Sequence, residues 1–306
     1  MRHLGLLLTF VILSVAAVHA QSDGNAPLTL ELPASTRALA LGGAFALSGA
    51  TADGLFYNPA LVNTARGFGV DVQRYRSSGT LGTVSAARAL GSGGLAMGLQ
   101  VLSFGMLGGT AISVPDNAEA LLQNGPIGAS EIVGTLGYAR VIKGFRVGVA
   151  GKVIEQRIGN ARDGTVGLDI GVVRRFFGIT WGISGQNIGR GLTTGTEGLV
   201  VPLPHRLTFG ASTSSRPLGP LDVLATAAVS RRRDGEIIPA GGIEISWWPV
   251  IGRTFTGRIG VRRVPDDGGS AITIGAAFTS DTFTFEYALE EFDAPGASHR
   301  FGIRWR

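Results

Sequence analysis

The chain has 306 residues and a formal net charge of +5, with 27 Lys and Arg against 22 Asp and Glu. It contains no cysteine, which excludes disulfide bonds, thiol catalysis and cysteine-ligated metals. The arginines are scattered along the chain and not clustered on one element, which argues against a nucleic-acid-binding surface.

The first twenty residues predict an export signal. Arg2 and His3 precede an apolar run from Leu4 to Val18, and a cleavage-site pattern of modest side chains ends at Ala20. The run has 15 residues, fewer than the ~20 that a membrane-spanning helix needs. We therefore predict a signal peptide at residues 1–20 and export to the bacterial outer membrane.

Residues 21–67 are predicted to form an N-terminal plug. Within them, residues 34–62 are rich in Ala, Leu and Gly and do not alternate. Ser35 or Thr36 is expected to cap a short helix starting at Arg37, which Gly42-Gly43 would end. Asn58-Pro59 indicates a turn into the first strand. We expect Arg37 and Asp53 to find partners of opposite charge in the lumen, among these residues: Glu244, Glu286, Arg258 and Arg262.

From Phe68 onward, apolar and small or polar residues alternate with period two. The segments often run for 9 to 13 residues, which suits tilted membrane strands better than the ~5–6 residues of soluble ones. Residues 68–306 are therefore predicted to form an all-β, antiparallel transmembrane barrel. We predict fourteen strands at 68–75, 80–89, 94–104, 130–139, 145–157, 165–174, 178–187, 205–213, 220–230, 237–248, 253–263, 271–279, 282–291 and 298–306.

The loops and the glycines agree with a barrel. Connections after even-numbered strands are short and several after odd-numbered ones are long, as expected for periplasmic turns and outer loops. Glycine accounts for 48 residues, more than twice the usual ~7%. This density disfavours long helices and suits an inner wall that a plug approaches closely.

Charged residues share the predicted lumen face, because an arginine facing lipid would cost roughly 2–4 kcal/mol at the midplane. They form either a ladder that pairs internally and holds the plug, or the lining of a selective channel. These lumen-lining residues are Arg146, Lys152, Asp169, Glu244, Arg258, Arg262, Glu286, Glu290, Arg300 and Arg304.

The last strand alternates Phe301, Ile303 and Trp305 with polar residues. It is similar to the C-terminal signal that the outer-membrane barrel assembly machinery recognises, although Arg306 follows the final aromatic residue. We therefore expect the assembly machinery and outer-membrane lipid to be partners of this chain.

The N-terminal segment resembles that of the FadL-like outer-membrane proteins, in the style of their PorV/PorQ branch. The resemblance rests on Arg37 to Ala44, on Asp53, on Asn58-Pro59-Ala60 and on His299-Arg300-Phe301 near the end. Many members have glycine after Asn-Pro-Ala, whereas this chain has Leu61. The resemblance implies fourteen strands and a gating plug, with these plug residues: Arg37, Gly42, Gly43, Asp53, Asn58, Pro59 and Ala60.

Two functions are compatible with this organisation. The first is passive transport of small hydrophobic molecules across the outer membrane, and the alternative is a non-enzymatic component of a protein-secretion system, as in the PorV/PorQ branch. We predict no enzyme, cofactor or metal, because the sequence lacks the nucleophile-elbow, phosphate-loop and zinc-helix motifs. Two of the four histidines lie outside the predicted signal peptide, and these, His205 and His299, are expected at the barrel rim or its aromatic girdle.

Overall fold

A computed structural model describes residues 27–75, 79–104, 128–159, 161–194, 199–264, 269–292 and 297–305. The predicted signal peptide and Arg306 lie outside these residues. Within the described part, no helix is long and apolar enough to cross a bilayer.

Antiparallel strands form one sheet that closes on itself. Each long strand pairs with its neighbours in sequence, and β1 pairs with β17 to close the ring. The strands are β1 (Gly67–Tyr75), β2 (Gly79–Leu90), β3 (Gly93–Phe104), β4 (Ala129–Ile142), β5 (Phe145–Ile158), β6 (Ala161–Phe176), β7 (Ile179–Gly189), β8 (Leu192–Thr194), β9 (Leu199–Val201), β10 (Arg206–Thr213), β11 (Arg216–Leu218), β12 (Leu221–Arg232), β13 (Ile237–Val250), β14 (Arg253–Arg262), β15 (Gly269–Thr279), β16 (Phe283–Phe292) and β17 (Ala297–Trp305).

Fourteen of these strands make the barrel, which confirms the predicted fold class. The other three are short. β8 and β9 pair with each other in the connection between β7 and β10, and β11 extends the edge of β12. The ring continues past these short strands because β7 pairs directly with β10, and β10 with β12.

Strand ends differ from the predicted ones where turns are tighter than expected. β6 begins at Ala161 and not at 165, because the chain reverses near Gly159, whose φ is +58°, and pairing with β5 resumes at once. The turn after β6 is Phe177-Gly178, where both residues adopt positive φ, so β6 runs to Phe176, two residues beyond its predicted end. Such two-residue turns favour residues that tolerate this conformation.

The two ends of the barrel differ. One end carries two-residue turns such as Lys143-Gly144 and also holds the start of β1 and the end of β17, where Phe68 pairs with Trp305. We call it the short-turn rim. The other end, the long-loop rim, carries the connections at 105–128 and 190–205. In outer-membrane barrels, short turns face the periplasm.

Side chains alternate between an exposed outer face and a buried lumen. In β17, Phe301, Ile303 and Trp305 are 60%, 48% and 59% exposed, whereas the alternate residues Arg300 and Arg304 are buried. The inversion of the soluble pattern, with apolar residues outside and charges inside, is that of a membrane barrel.

The lumen is filled by the N-terminal segment, residues 27–66, which we call the plug. It contains one short α-helix, α1 (Thr36–Ala40), and three 3-10 turns at Leu28–Leu30, Ala52–Phe56 and Pro59–Asn63. These elements contact the inner faces of β1 to β6 and of β14 to β17. The plug then joins β1 at the short-turn rim.

Candidate functional site

The plug helix begins and ends as its sequence dictates. Ser35 is its N-cap, and the Ser35 hydroxyl accepts a hydrogen bond from Ala38 N at 3.4 Å, so the helix starts at Thr36, one residue before the predicted start. It ends before Gly42 and Gly43, whose φ angles are +69° and +84°. At Gly42 a Cβ atom would lie 2.7 Å from the backbone oxygen of Val261. Only glycine therefore allows the plug to touch the wall at this point.

Glycines on the inner wall receive the plug at many other points. A Cβ at Gly148 would lie 2.3 Å from Pro59, and one at Gly260 would lie 2.0 Å from Gly42 N. Contacts this close place plug backbone directly on strand backbone. Wall glycines with plug atoms within 3 Å of the added Cβ are Gly94, Gly98, Gly137, Gly148, Gly171, Gly182, Gly242, Gly260, Gly275 and Gly302. These ten glycines therefore allow the plug to dock directly on the wall.

The Asn58-Pro59 turn is anchored on both sides. The Asn58 side-chain oxygen accepts from Ala60 N at 3.0 Å, which caps the 3-10 turn that Pro59 opens. Its amide donates to the backbone oxygen of Ile183 in β7 at 3.1 Å. Asn58 thus fixes the local turn and ties it to the wall.

An aromatic pair holds the plug together. The rings of Phe45 and Tyr57 stack with centroids 4.5 Å apart. The Tyr57 hydroxyl accepts hydrogen bonds from Ala34 N at 2.9 Å and Ser35 N at 3.0 Å. Burial raises the pKa of Tyr57 above its ordinary value, so the phenol remains neutral.

A ladder of alternating charges connects the plug to five strands. Arg304 binds both oxygens of Asp71 at 2.8 Å and lies 3.4 Å from Glu286. Arg258 bonds to Glu286 and to Glu244 at 2.8 Å each. This wall cluster is completed by Arg300, which is 3.9 Å from Asp71.

Two plug residues bind to this ladder. Arg37 donates to Glu244 from Nε at 2.9 Å and also from Nη2. Asp53 lies 3.3 Å from Arg304. This corrects the expected pairing, since Arg304, and neither Arg258 nor Arg262, faces Asp53. Burial is the largest single effect and would raise the pKa of Asp53, but the charges of Arg304 and Arg37 together with side-chain hydrogen bonds outweigh it, so the pKa lies below the ordinary value.

Asp71 docks the start of the plug helix and was missed at the sequence level. Its Oδ1 accepts from Thr36 N at 2.9 Å and from the Thr36 hydroxyl at 2.6 Å. Together with Arg37 and Asp53, the ladder contains four arginines and four carboxylates, so its formal charges cancel. The alternation of residues in β1 places Asp71 on the lumen face, and this pattern could have identified Asp71 from the sequence.

A second polar cluster lies in the lumen and contacts the connection between β7 and β10. Lys152 lies 2.8 Å from Asp169 and donates to the Asn187 side chain at 2.6 Å. Asn187 has a φ of +58° beside a break in the pairing of β6 and β7, and its side-chain amide donates to Pro204 O at 2.9 Å. The cluster therefore draws the connection between β7 and β10 toward the lumen.

Glu131 fastens the first described residues of the plug. Its carboxylate accepts from Thr29 N at 2.7 Å, from the Thr29 hydroxyl at 2.6 Å and from Leu28 N at 3.1 Å. Gln156 donates to it as well, at 2.9 Å. Nearby, buried Leu192 and Leu203 pack with the partly buried Leu30 of the plug. Residues 28–30 are thus held near the long-loop rim.

A cavity of about 160 Å³ lies between the plug and the long-loop half of the wall. Its apolar lining includes Leu28, Leu30, Leu32, Phe56 and Ile238. Its cationic lining consists of Lys152, Arg206, Arg232, Arg262 and Arg263, of which Arg263 is exposed and donates to the backbone oxygen of Ile237 at 3.4 Å. Three of these cations form ion pairs: Lys152 with Asp169, Arg232 with Glu31, and Arg262 with Glu290. Among the described residues, Arg206 forms no ion pair.

The structure places all ten predicted lumen residues on the inner face. Arg146 lies near the short-turn rim, where it donates to the Thr64 hydroxyl at 3.1 Å, and Arg262 pairs with Glu290. The predicted plug residues also lie in the lumen, with Ala60 fully buried. His299 faces outward and bonds to the Tyr287 hydroxyl at 2.8 Å, while His205 precedes β10. Glu131, Arg206 and the β8–β9 hairpin were not singled out from the sequence.

Comparisons with known proteins support the fold. No protein-family model matches the chain, and no curated protein matches it significantly. Among solved structures, the toluene transporter TbuX of Ralstonia pickettii is similar with a TM-score of 0.56 and 14% identity, over 90% of this chain and 97% of that one. The toluene transporter TodX of P. putida gives 0.54 and 13%, over 89% and 96%. A FadL homologue of Pseudomonas aeruginosa gives 0.53 and 9%, over 88% and 97%.

These likenesses show that the chain has the barrel fold of the FadL-like outer-membrane channels, as the N-terminal residues suggested. The similar proteins are channels or transporters by name. The finer assignment to the PorV/PorQ branch stays a prediction.

Proposed function

We propose that this barrel, with the fold of FadL-like channels, lies in the outer membrane and lets small hydrophobic molecules pass through its lumen. Passage would need no chemistry, only a binding cavity and a plug that moves. The proteins TbuX and TodX, which share the fold, are toluene transporters. The proposal extends that type of cargo to this chain.

The lumenal cavity is the observation that carries the proposal. Its volume of about 160 Å³ is close to that of an engineered apolar cavity in another protein, ~150 Å³, that binds benzene. Leucines of the plug form one side and Ile238 of β13 the other. A single-ring compound would therefore lie between plug and wall, where plug movement would release it.

Arg206 gives this cavity a polar end. Lys152, Arg232 and Arg262 are neutralised by carboxylates, and the exposed Arg263 donates to the backbone oxygen of Ile237. The Arg206 guanidinium is therefore the group available to a polar substituent of the cargo. A hydrogen bond from a charged donor contributes about 1.5–3 kcal/mol. The cavity thus suits a ring that carries a polar group better than a bare alkane.

Filling the cavity tests the proposal. Ile238 faces the lumen, whereas its neighbour Ile237 faces outward and is 47% exposed. Ile238→Trp should reduce toluene uptake by intact cells several-fold, because the indole would occupy the space of the cargo. Ile237→Trp is the matched control and should leave uptake unchanged. Equal uptake by both variants, at equal levels of folded barrel, would contradict the proposal.

Removing the plug tests the second requirement. Deletion of residues 34–50 takes away α1 and the Arg37–Glu244 pair but no strand. In planar bilayers the deletion variant should be folded and should conduct more than the wild type, because closure depends on strand pairing. An inserted variant with wild-type conductance would refute a gating role and would favour a secretion component whose N-terminus is a docking surface.

A further inference from the structure

The outer wall carries a groove that the transport proposal does not use. It has a volume of about 510 Å³ and crosses the lipid-facing surface of β4 to β7 and β10. Its walls are outward side chains, including Val149 at 45% exposure and Ile170 at 50%. Apolar side chains on this face contact bilayer lipid.

Strand register explains the shape of the groove. One row of outward residues runs from strand to strand through paired positions: Tyr138, Val149, Ile170, Gly185 and Leu207. The adjacent row, two residues away along each strand, begins at Arg140 and passes through Val147, Val172 and Ile183. Gly185 interrupts the first row because it has no side chain. At ~4.8 Å per strand, the groove is roughly 19 Å long.

The groove has a charged end and an apolar end. Arg140 lies two residues from the end of β4 at the short-turn rim, whereas Leu207 lies six residues from the corresponding end of β10. Arg174 follows the groove residue Val172 by two positions on β6, toward the short-turn rim, and its guanidinium is 4.4 Å from the centre of the Phe145 ring. Both arginines are exposed, and no carboxylate of the described residues pairs with either.

We propose that this groove binds one phospholipid of the periplasmic leaflet, with an acyl chain between the two rows and its phosphate at Arg140 and Arg174. The apolar rows match a hydrocarbon chain, and two unpaired guanidiniums match a phosphate. The groove climbs from the rim toward the middle of the bilayer, the direction in which an acyl chain runs. The site depends on the membrane-spanning barrel and not on what passes through the lumen.

The inner side of the same wall gives this lipid a consequence for the plug. Gly148 and Gly171, in strands that form the groove, touch Pro59 and Asn58 on the lumen side. The lipid and the anchoring turn of the plug are thus separated by a single layer of backbone. A bound lipid would stiffen the part of the wall on which Asn58 is anchored.

Native mass spectrometry of the detergent-purified protein, titrated with phosphatidylglycerol, tests the site. The wild type should retain one lipid. Arg140→Gln should weaken retention about fivefold, the effect of removing ~1 kcal/mol for one basic residue near a membrane surface. Gly185→Leu should weaken it more than tenfold, because displacing two methylenes from the groove already accounts for that factor. Diacylglycerol with the same chains, which lacks the phosphate, should bind at least fivefold more weakly to the wild type.

Two matched variants control for general effects. Arg88→Gln removes an exposed arginine two residues from the end of β2, the same depth as Arg140. Gly257→Leu adds a side chain to an exposed glycine on β14 that has nothing within 4 Å of its Cβ position. Both should retain lipid within a factor of two of the wild type, and heat-modifiable migration should show that all four variants fold.

Three outcomes would overturn the proposal. Equal lipid retention by the wild type, Arg140→Gln and Gly185→Leu would mean that only general annular lipid binds. A dimer that Gly185→Leu dissociates would assign the groove to a second copy of the chain. Competition between toluene and phosphatidylglycerol, lost in Gly185→Leu, would assign it to the transported cargo.

Discussion

Replacing Arg37 with Met separates the stability of the plug from that of the barrel. Arg37 supplies the plug side of its ion pair with Glu244, and it donates from two nitrogens. Glu244 keeps Arg258 as a partner at 2.8 Å, so the substitution leaves no carboxylate unpaired. The loss is therefore that of charged hydrogen bonds, about 2 kcal/mol. The methionine would retain much of the apolar stem contact.

A loss of about 2 kcal/mol changes the ratio of docked to displaced plug by a factor of roughly 30. Planar-bilayer recordings should show this as a rise in the fraction of time spent in an open state. The temperature at which the barrel loses its heat-modifiable migration should stay unchanged, because strand pairing is intact. Arg258→Met, in contrast, removes charged hydrogen bonds between strands of the wall, from β14 to Glu244 of β13 and to Glu286 of β16, each contributing about 1.5–3 kcal/mol. It should therefore lower the stability of the barrel itself, even though Glu244 keeps Arg37 and Glu286 keeps Arg304 as partners.

Arg162→Met is the control for Arg37→Met. It also removes an Arg–Glu pair, with Glu155, but there the arginine side chain is 70% exposed. Exposed pairs of this kind contribute little, so neither conductance nor thermal stability should change. The reasoning is refuted if Arg37→Met and Arg162→Met show the same open fraction as the wild type.

Three other predictions concern the wall, the closure and the effect of pH. Ile259→Arg, at the outward centre of β14, should lower the free energy of unfolding in liposomes by roughly 2–4 kcal/mol. Ile237→Arg, at the end of β13, should lower it by about 0–1 kcal/mol. Similar values for the two variants would mean that the depths assigned to these residues are wrong. Removing residues 305–306 should slow assembly, seen as less heat-modifiable protein in the membrane, because Trp305 pairs with both neighbouring strands. The pKa of Asp53 is lowered in the folded protein, so its contribution to plug docking is present above pH ~4 and is lost as the pH falls further. Conductance should therefore be constant from pH 7 to 5 and rise toward pH 3. Asp53→Asn should remove that rise, and a rise of equal size in the variant would contradict the assignment.

The strands were predictable because the membrane imposes a simple alternation on every one of them. Lipid on one side and a polar lumen on the other leave period two visible even in β2, where Ala and Ser dominate. The plug helix was also predictable, since Ser35 and Gly42-Gly43 are local signals for its two ends. Local signals could not decide between Ser35 and Thr36, because the Thr36 hydroxyl is used instead by the distant Asp71.

Partners across the lumen could not be predicted. Asp53 and Arg304 are 251 residues apart, and which arginine faces Asp53 depends on the stagger of five strands. The β8–β9 hairpin was missed for a related reason, since its Leu192 is buried against Leu30 of the plug and against Val133 and Ile154 of the wall, which are distant in sequence. The cavity follows from both of these long-range arrangements.

The ion pairs between the first and last parts of the chain also set an order of events in folding. Arg37 and Asp53 emerge before any strand, yet their partners Glu244 and Arg304 lie 207 and 251 residues later. Contacts of such large sequence separation form late, because the intervening chain must be ordered first. Arg37 and Asp53 therefore cannot dock until β13 and β17, respectively, are in place, and this part of the plug is fixed only as the barrel closes. A barrel stalled before that step would be recognisable in pulse-chase experiments by a plug still open to protease.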